Sequence, residues 1–210
     1  MTTLPAPGIA ALVLAADALD DDSPRAMGRW GRTTTVEHVV SAVASLFDTT
    51  VVVLGSDGDR VAEVTQLGDA IVVVDPEWSE GVASPLRAGL DTLSRLSDVE
   101  HVVLIDVATP QVDTSVISEL VDTHLATPHA LPGRRLGDRA ATVGKFRYVR
   151  SGPIVLAREL WERFLSMEGS TPIHQVLSAH QDWVAEVWID QLPPVEVHDA
   201  DDLANIAPRG

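Results

Sequence analysis

The chain contains no cysteine, which removes disulfide bridges, thiolate zinc sites and cysteine nucleophiles together and leaves the redox compartment open. Lysine is almost absent. Lys145 stands alone against fourteen arginines, so any work on a phosphate falls to guanidinium groups. Positive charge is scarce altogether: 31 Asp and Glu face 15 Lys and Arg, a formal charge of −16, which argues against a broad grip on a nucleic-acid backbone. Long hydrophobic runs are missing too, since none approaches the roughly 18 residues a membrane span requires. Residues 1–8 carry no basic group, and the apolar stretch 9–16 runs on into Asp20, Asp21 and Asp22, where a signal peptide would have a small-residue cleavage site. The stretch is therefore expected to belong to the folded protein, and the protein to the cytoplasm.

What is present is a chain of 210 residues, 45% hydrophobic, rich enough for one packed domain over residues 1–210. Short apolar runs alternate with helical patterns, the signature of a mostly parallel sheet covered by helices on both faces. Residues 9–16 are too uniformly apolar for a half-exposed strand and read as a buried central one. Helix is expected over 36–47, strand over 50–54, helix over 60–67, strand over 70–74, helix over 82–96 and strand over 101–107. A helix marked by Val116, Leu120 and Val121 follows. The alternation then falters over 127–150, where Gly133-Arg134-Arg135-Leu136-Gly137 resembles a hairpin tip or loop. Beyond it come a short strand at 153–156, helices at 157–167 and 172–180, a strand at 183–189 and a closing helix at 199–206.

Open α/β sheets bind ligands at the carboxyl ends of their strands, where backbone N–H groups and helix N-termini converge. Leu14, Ala15, Ala16 and Asp17 fall at the end of the first strand, followed by Arg25-Ala26-Met27-Gly28. No GxGxxG pattern follows it, which disfavours a dinucleotide-binding dehydrogenase. A loop carrying Arg25, Gly28, Arg29 and Arg32 can instead wrap a triphosphate, or its arginines can pair with Asp20 to Asp22 or lie in solvent.

These segments resemble the LAAGxSxRMGxxK phosphate loop of the MobA-like nucleotidyltransferases, which attach CMP or GMP to molybdopterin. Pro76-Glu77-Trp78-Ser79-Glu80-Gly81-Val82-Ala83-Ser84-Pro85-Leu86-Arg87-Ala88-Gly89-Leu90 is similar to that family's "np.w.eGmasSLraGL" stretch, the most specific of the matches. His101 to Pro110 resembles its strand ending in "GDxP", Arg150 to Leu156 its "RGhPvlf" stretch, and Glu196 to Leu203 its "DIDTPEDL" ending. The resemblance implies a three-layer Rossmann-like α/β sheet of the nucleotide-diphospho-sugar transferase type. It also implies transfer of CMP or GMP from CTP or GTP to molybdopterin with Mg2+ as cofactor. By the same resemblance Arg25 and Arg32 are the catalytic cations at the phosphates. Leu14, Ala15, Ala16, Asp17, Gly28, Ser84, Leu86 and Gly89 would bind nucleotide, and Asp106, Glu196 and His198 would hold the metal.

Several positions depart from the family pattern. Asp17 replaces a glycine, Asp20 to Pro24 lengthen the loop, and the loop lysine is missing, with Arg32 the nearest stand-in. Ala108 stands where "GDxP" has its aspartate. Asp106, two residues earlier, is expected on the same face as Ala108 but roughly 6–7 Å deeper in the sheet. Glu196 and His198 are expected to share a face, and a histidine ligand suits a transition metal better than magnesium. Gly169-Ser170-Thr171-Pro172 keeps the glycine of "GDxGar" and loses the acid. Two readings stay open: a working transferase with a rebuilt centre, or an inactive member serving as a binding or regulatory module, docked on a protein partner. A sugar-phosphate nucleotidyltransferase or glycosyltransferase is a third, opposed by the 76–90 match.

Other constellations carry less. His124 and His129 form a pair without a third ligand. Arg134, Arg135, Arg139, Arg147 and Arg150 are the one basic concentration, suited to a pterin phosphate, an acidic partner or plain solvent. Trp161 is expected in the core, Trp78 at a site wall, and Trp183 and Trp188 packed along the last strand.

Overall fold

The computed structural model describes residues 7–126, 139–167 and 171–208. Its strands are β1 (Ile9–Ala15), β2 (Arg29–Trp30), β3 (Thr33–Thr34), β4 (Thr49–Leu54), β5 (Ile71–Val74), β6 (His101–Asp106), β7 (Ala141–Phe146), β8 (Val149–Ala157) and β9 (Val184–Ile189). Its helices are α1 (Thr35–Ala44), α2 (Gly58–Val64), α3 (Ala83–Ser94), α4 (Thr114–Ala126), α5 (Trp161–Leu165), α6 (Ile173–Ala179) and α7 (Ala200–Ile206). A seven-stranded sheet runs in the order β5-β4-β1-β6-β8-β7-β9. Only β8 opposes its neighbours β6 and β7; the remaining pairings are parallel, as the alternating sequence pattern predicts. Among the described residues, no helix is long and apolar enough to cross a membrane.

Strand alternation divides the interior into two layers. Ala11 and Val13 of β1 join Val52 and Val103 beneath α1 and α4, while Ala10 and Leu12 join Val51 and Val102 beneath α3 and α5. A strand buried on both faces must be apolar at every position, which is why β1 shows no alternation in sequence. Helix α1 starts where it does because Thr34 and Glu37 form a reciprocal capping box. The Thr34 hydroxyl accepts from the Glu37 N–H, and a Glu37 carboxylate oxygen accepts from the Thr34 N–H at 2.8 Å. The other Glu37 oxygen accepts from the Gln66 N–H at 2.9 Å, tying the segment after α2 to α1. These N–H donors, Thr34 foremost, hold the Glu37 carboxyl below its usual range.

Two stretches differ from the sequence expectation. Within 127–150 the chain builds β7, and β8 runs from Val149 rather than Pro153. Pro153 has no N–H and a lone proline reads as a strand breaker. Here the register jumps from Val143 opposite Ile154 to Gly144 opposite Ser151, so Gly152 and Pro153 lie outside the ladder and the strand continues past them. The helix expected over 157–167 begins late. Ala157 is still paired with His101, and a tight turn over Arg158–Leu160 intervenes before α5. The Gly133 to Gly137 tip lies outside the described residues.

Gly89 illustrates what the packing demands. It sits on α3 directly over β1, where an added Cβ collides with the fully buried Leu12 side chain. Alanine offers about 1 kcal/mol of helix propensity there, against an overpacking cost of about 1–3 kcal/mol. Gly89→Ala is therefore expected to lower the urea midpoint of the ligand-free protein, by a loss on the order of 1 kcal/mol. An unchanged or raised midpoint shows that the helix can slide away from β1.

Candidate active site

The parallel register sets Leu14 of β1 opposite Asp106 of β6, so both strands deliver their last residues to one edge of the sheet. The Val107 N–H donates to the Leu14 carbonyl at 3.0 Å and ends the pairing. The chain then turns, and Asp106 caps the turn, its Oδ1 accepting from the Ala108 N–H at 2.8 Å. The expected depth of Asp106 is thereby corrected. The strand stops at Asp106, which stands exposed at the mouth, while Ala108 in the turn beyond it is buried yet still lines the cleft.

Glu196 arrives from the far end of the chain because the Val197 N–H donates to the Ala108 carbonyl at 2.8 Å. Asp17 follows directly on β1, and Arg25 returns above it. The Arg25 N–H donates to the Asp17 carbonyl at 3.0 Å, and Nη1 lies 3.4 Å from Asp17 Oδ2. Arg25 is only 8% exposed, and its Nε has no partner among the described residues. Leu14, Asp17, Arg25, Leu86, Asp106 and Glu196 line one cleft of about 510 Å³. Wider depressions lie beside Lys145 and Tyr148 (about 1010 Å³) and beside Trp30 and Phe146 (about 880 Å³), but neither gathers these charges.

Although Asp106 is exposed toward the cleft, the walls crowd its carboxyl, and this desolvation pushes it up to about 6. The Ala108 N–H and Arg25 oppose the shift; the charges of Asp17 and Glu196 add to it. A carboxylate held uphill among like charges beside an under-satisfied guanidinium marks a functional site more often than a structural one.

The other predicted residues lie elsewhere. Ala15 and Ala16 are buried beneath the cleft, the Ala16 carbonyl accepting from the Ser56 N–H at 2.8 Å. Gly28 is required by packing: a Cβ there meets the Leu203 side chain and the Thr35 hydroxyl. Ser84 and Gly89 are buried in α3 and do not line the cleft. Arg32 is exposed in the turn of the β2–β3 hairpin, so the segment read as a triphosphate-wrapping loop is in part a closed hairpin. His198 is exposed and off the cleft wall. Residues 190–199 are not a strand, and of the pair Glu196 lines the cleft while His198 does not. The His198 N–H instead donates to Asp202 at 2.9 Å, near the cap of α7. Among the described residues no group of three or more His, Asp or Glu forms a ready metal cluster.

His174 and Ser151 line the cleft and were not singled out in the sequence; His174 looked like one residue of an ordinary helix. Thr171 and Pro172 line it too, whereas Gly169, Ser170, His129, Arg134 and Arg135 lie outside the described residues. His124 is buried against His101 and Thr142, at 3.1 and 2.9 Å. Lys145 and Arg150 share Glu186, at 2.8 and 2.6 Å, and thereby hold its carboxyl below the usual range. Trp161 and Trp183 are in the core. Trp78 is half-buried against Gly55, away from the cleft lining. Trp188 is corrected: it is 62% exposed, with the Lys145 ammonium 4.8 Å above its ring.

An open sheet with this cleft at its carboxyl edge defines an α/β protein of the nucleotidyltransferase fold. Residues 11–184 match the model of the MobA-like NTP transferase domain, and the chain belongs to that family. In structure it is similar to Rv0371c from Mycobacterium tuberculosis H37Rv, with a TM-score of 0.77 at 20% identity over 95% of this chain and 97% of that one. A manganese complex of Rv0371c aligns with a TM-score of 0.74 at 22% identity over 95% and 97%. A nucleotidyl transferase from Methanothermobacter thermautotrophicus gives 0.69 at 18% identity over 94% and 95%. The 2-C-methyl-D-erythritol 4-phosphate cytidylyltransferase of Thermus thermophilus gives 0.61 at 16% over 93% and 95%. No curated protein matches the chain in sequence.

With its carboxyl raised, Asp106 prefers the protonated form in the folded state, so its ionisation costs stability above about pH 6 and nothing below about pH 4. Asp106→Asn keeps an oxygen for the Ala108 N–H and removes that cost. Its melting midpoint is expected to exceed that of the parent protein at pH 8 and to converge with it at pH 4; equal midpoints at pH 8 refute the assignment.

Proposed function

We propose that this protein, working in the cytoplasm as one unit over residues 1–210, transfers CMP or GMP from CTP or GTP to a phosphate-bearing acceptor. Molybdopterin is the acceptor favoured by the resemblance of residues 76–90 and 150–156. The observation that carries the proposal is Arg25. It is a nearly buried guanidinium with an unpartnered Nε, set at the end of β1 beside Asp106 and Glu196.

In the transfer, an acceptor phosphate oxygen bonds to the α-phosphorus while the bond to the β-phosphate oxygen breaks, and pyrophosphate leaves. Arg25 would donate to phosphate oxygens and oppose the charge that accumulates on them. Leu86 and Leu14 supply an apolar wall, and Gly89 and Ser84 support it by seating α3 against the sheet. The donor set suits Mg2+ in the sense that this cation commonly takes one or two protein carboxylates and completes its shell with phosphates and water. Asp106 and Glu196 are the residues that would hold it, and the crowding of Asp106 by like charges favours a cation there. When bound, a divalent ion neutralises triphosphate charge and polarises the α-phosphoryl oxygen.

A second reading is favoured by Ala108 at the turn and by Arg32 standing clear of the cleft: an inactive member of the family that binds a ligand or a protein partner without turnover. Calorimetry against CTP, GTP and ATP, with magnesium and then manganese, separates the two when pyrophosphate release is followed in parallel. Micromolar, metal-dependent binding of CTP or GTP is expected, weakened about tenfold or more by Arg25→Ala. Binding without pyrophosphate release for molybdopterin or other phosphorylated acceptors supports the inactive reading. Silence with all three nucleotides overturns the nucleotide site itself.

A further inference from the structure

The acids inserted after β1 mostly fold away from the cleft; Asp17 does not. Asp20, Asp21 and Asp22 are exposed on a compact turn in which the Leu19 N–H donates to the Ser23 carbonyl at 2.8 Å. Asp21 Oδ1 accepts from both the N–H and the hydroxyl of Ser23, and Ala18 bridges to Pro24. This turn brings the chain back on itself, so Arg25 meets the same residue twice: its N–H at the Asp17 carbonyl, and its Nη1 at the Asp17 carboxylate.

A guanidinium has five N–H donors. Arg25 is more than nine-tenths buried, and among the described residues its one ion-pair contact is a long 3.4 Å and its Nε has no acceptor. Such a group keeps a donor available to an acceptor from outside the chain, and in a cleft that acceptor can be an oxygen of an anionic ligand. The cleft as a whole, however, disfavours anions. Asp17, Asp106 and Glu196 surround Arg25, and Arg150, the other arginine in the lining, has its Nε committed to Glu186 at 2.6 Å.

We propose that Asp17 is a selectivity residue: it occupies Arg25 in the resting site and repels free triphosphate, so that nucleotide enters only as its divalent-cation complex. The inference rests on the nucleotide reading above and adds the form in which nucleotide is admitted. A free triphosphate in this cleft faces three carboxylates against Arg25 and an Arg150 already paired with Glu186. The cation complex carries less negative charge and gives the carboxylates a counter-ion. Phosphate can then replace Asp17 as the partner of Arg25, and Asp17, 40% exposed at its side chain, has room to turn out toward solvent.

The test is calorimetric titration of the full chain with inorganic tripolyphosphate, CTP and GTP, each in EDTA and in magnesium, for the parent protein, Asp17→Asn and Asp17→Gly. Asp17→Asn is nearly isosteric, so the test survives if the glycine variant folds poorly. The parent protein is expected to bind only in magnesium. The variants should gain about tenfold or more for tripolyphosphate in EDTA and much less in magnesium, so that the ratio of affinities with and without metal collapses. A merely structural role would shift both conditions alike. Variants within twofold of the parent protein in EDTA, or gains equal in the two conditions, overturn the assignment of Asp17. Should CTP and GTP fail with magnesium in all three proteins, the nucleotide reading falls instead, and the proposal with it.

Discussion

The parallel pairing of β1 with β6 is the constraint on which the cleft depends. It sets Leu14 opposite Asp106, and the Val107 N–H closes the ladder on the Leu14 carbonyl. From that point two chains leave the sheet side by side, one into Asp17 and the other into the turn capped by Asp106. A slip of one residue would reverse the faces of every β6 side chain, exchanging Val103 and Ile105 of one layer with Val102 and Leu104 of the other and taking Asp106 from its place opposite Leu14. The register is protected because β1 is apolar on both faces and sealed by α1 and α4 on one side and by α3 on the other.

Around this edge the charges are unbalanced by design of the chain. Carboxylates come from three separate places: Asp17 after β1, Asp106 at the end of β6, and Glu196 carried in by the hydrogen bond from Val197 to Ala108. Desolvation and mutual repulsion raise the Asp106 carboxyl, and one buried guanidinium offsets them incompletely. The protein thus keeps a strained electrostatic site at the mouth of a well-packed sheet, the pattern expected where binding relieves the strain. The far wall is organised differently. There Glu186 pairs with both Lys145 and Arg150, so one carboxylate offsets part of their charge and fixes both cations in place.

Glycine has a similar double aspect. Gly28 and Gly89 sit in segments that resemble nucleotide-binding motifs, yet each is needed first because a neighbour fills the space of its Cβ: Leu203 and Thr35 for one, Leu12 for the other. The motif brings the helix close to the sheet, and the closeness positions Leu86 at the cleft. Motif and packing are one requirement seen at two scales.

Much of this was legible in the sequence. Uniform apolar runs announced the buried strands, helical spacing in 36–47 and 82–96 announced α1 and α3, and the order of motifs announced the family, because burial on two faces or one leaves a period that no partner can erase. Asp17, Arg25, Asp106 and Glu196 could be picked out through the resemblance of their segments to the family's motifs, Asp17 also by its place just after the first strand. What tertiary structure alone decided was which candidates meet. It set Asp106 at the mouth, because β6 ends there and the chain turns on the Ala108 N–H. It brought Glu196 to the cleft and left His198 off its lining, because the Val197 N–H is drawn to the Ala108 carbonyl and the His198 N–H to Asp202. It carried β8 through Pro153, because the ladder could skip two residues. These outcomes rest largely on hydrogen bonds between segments distant in the chain, and such bonds leave no period in the sequence that forms them.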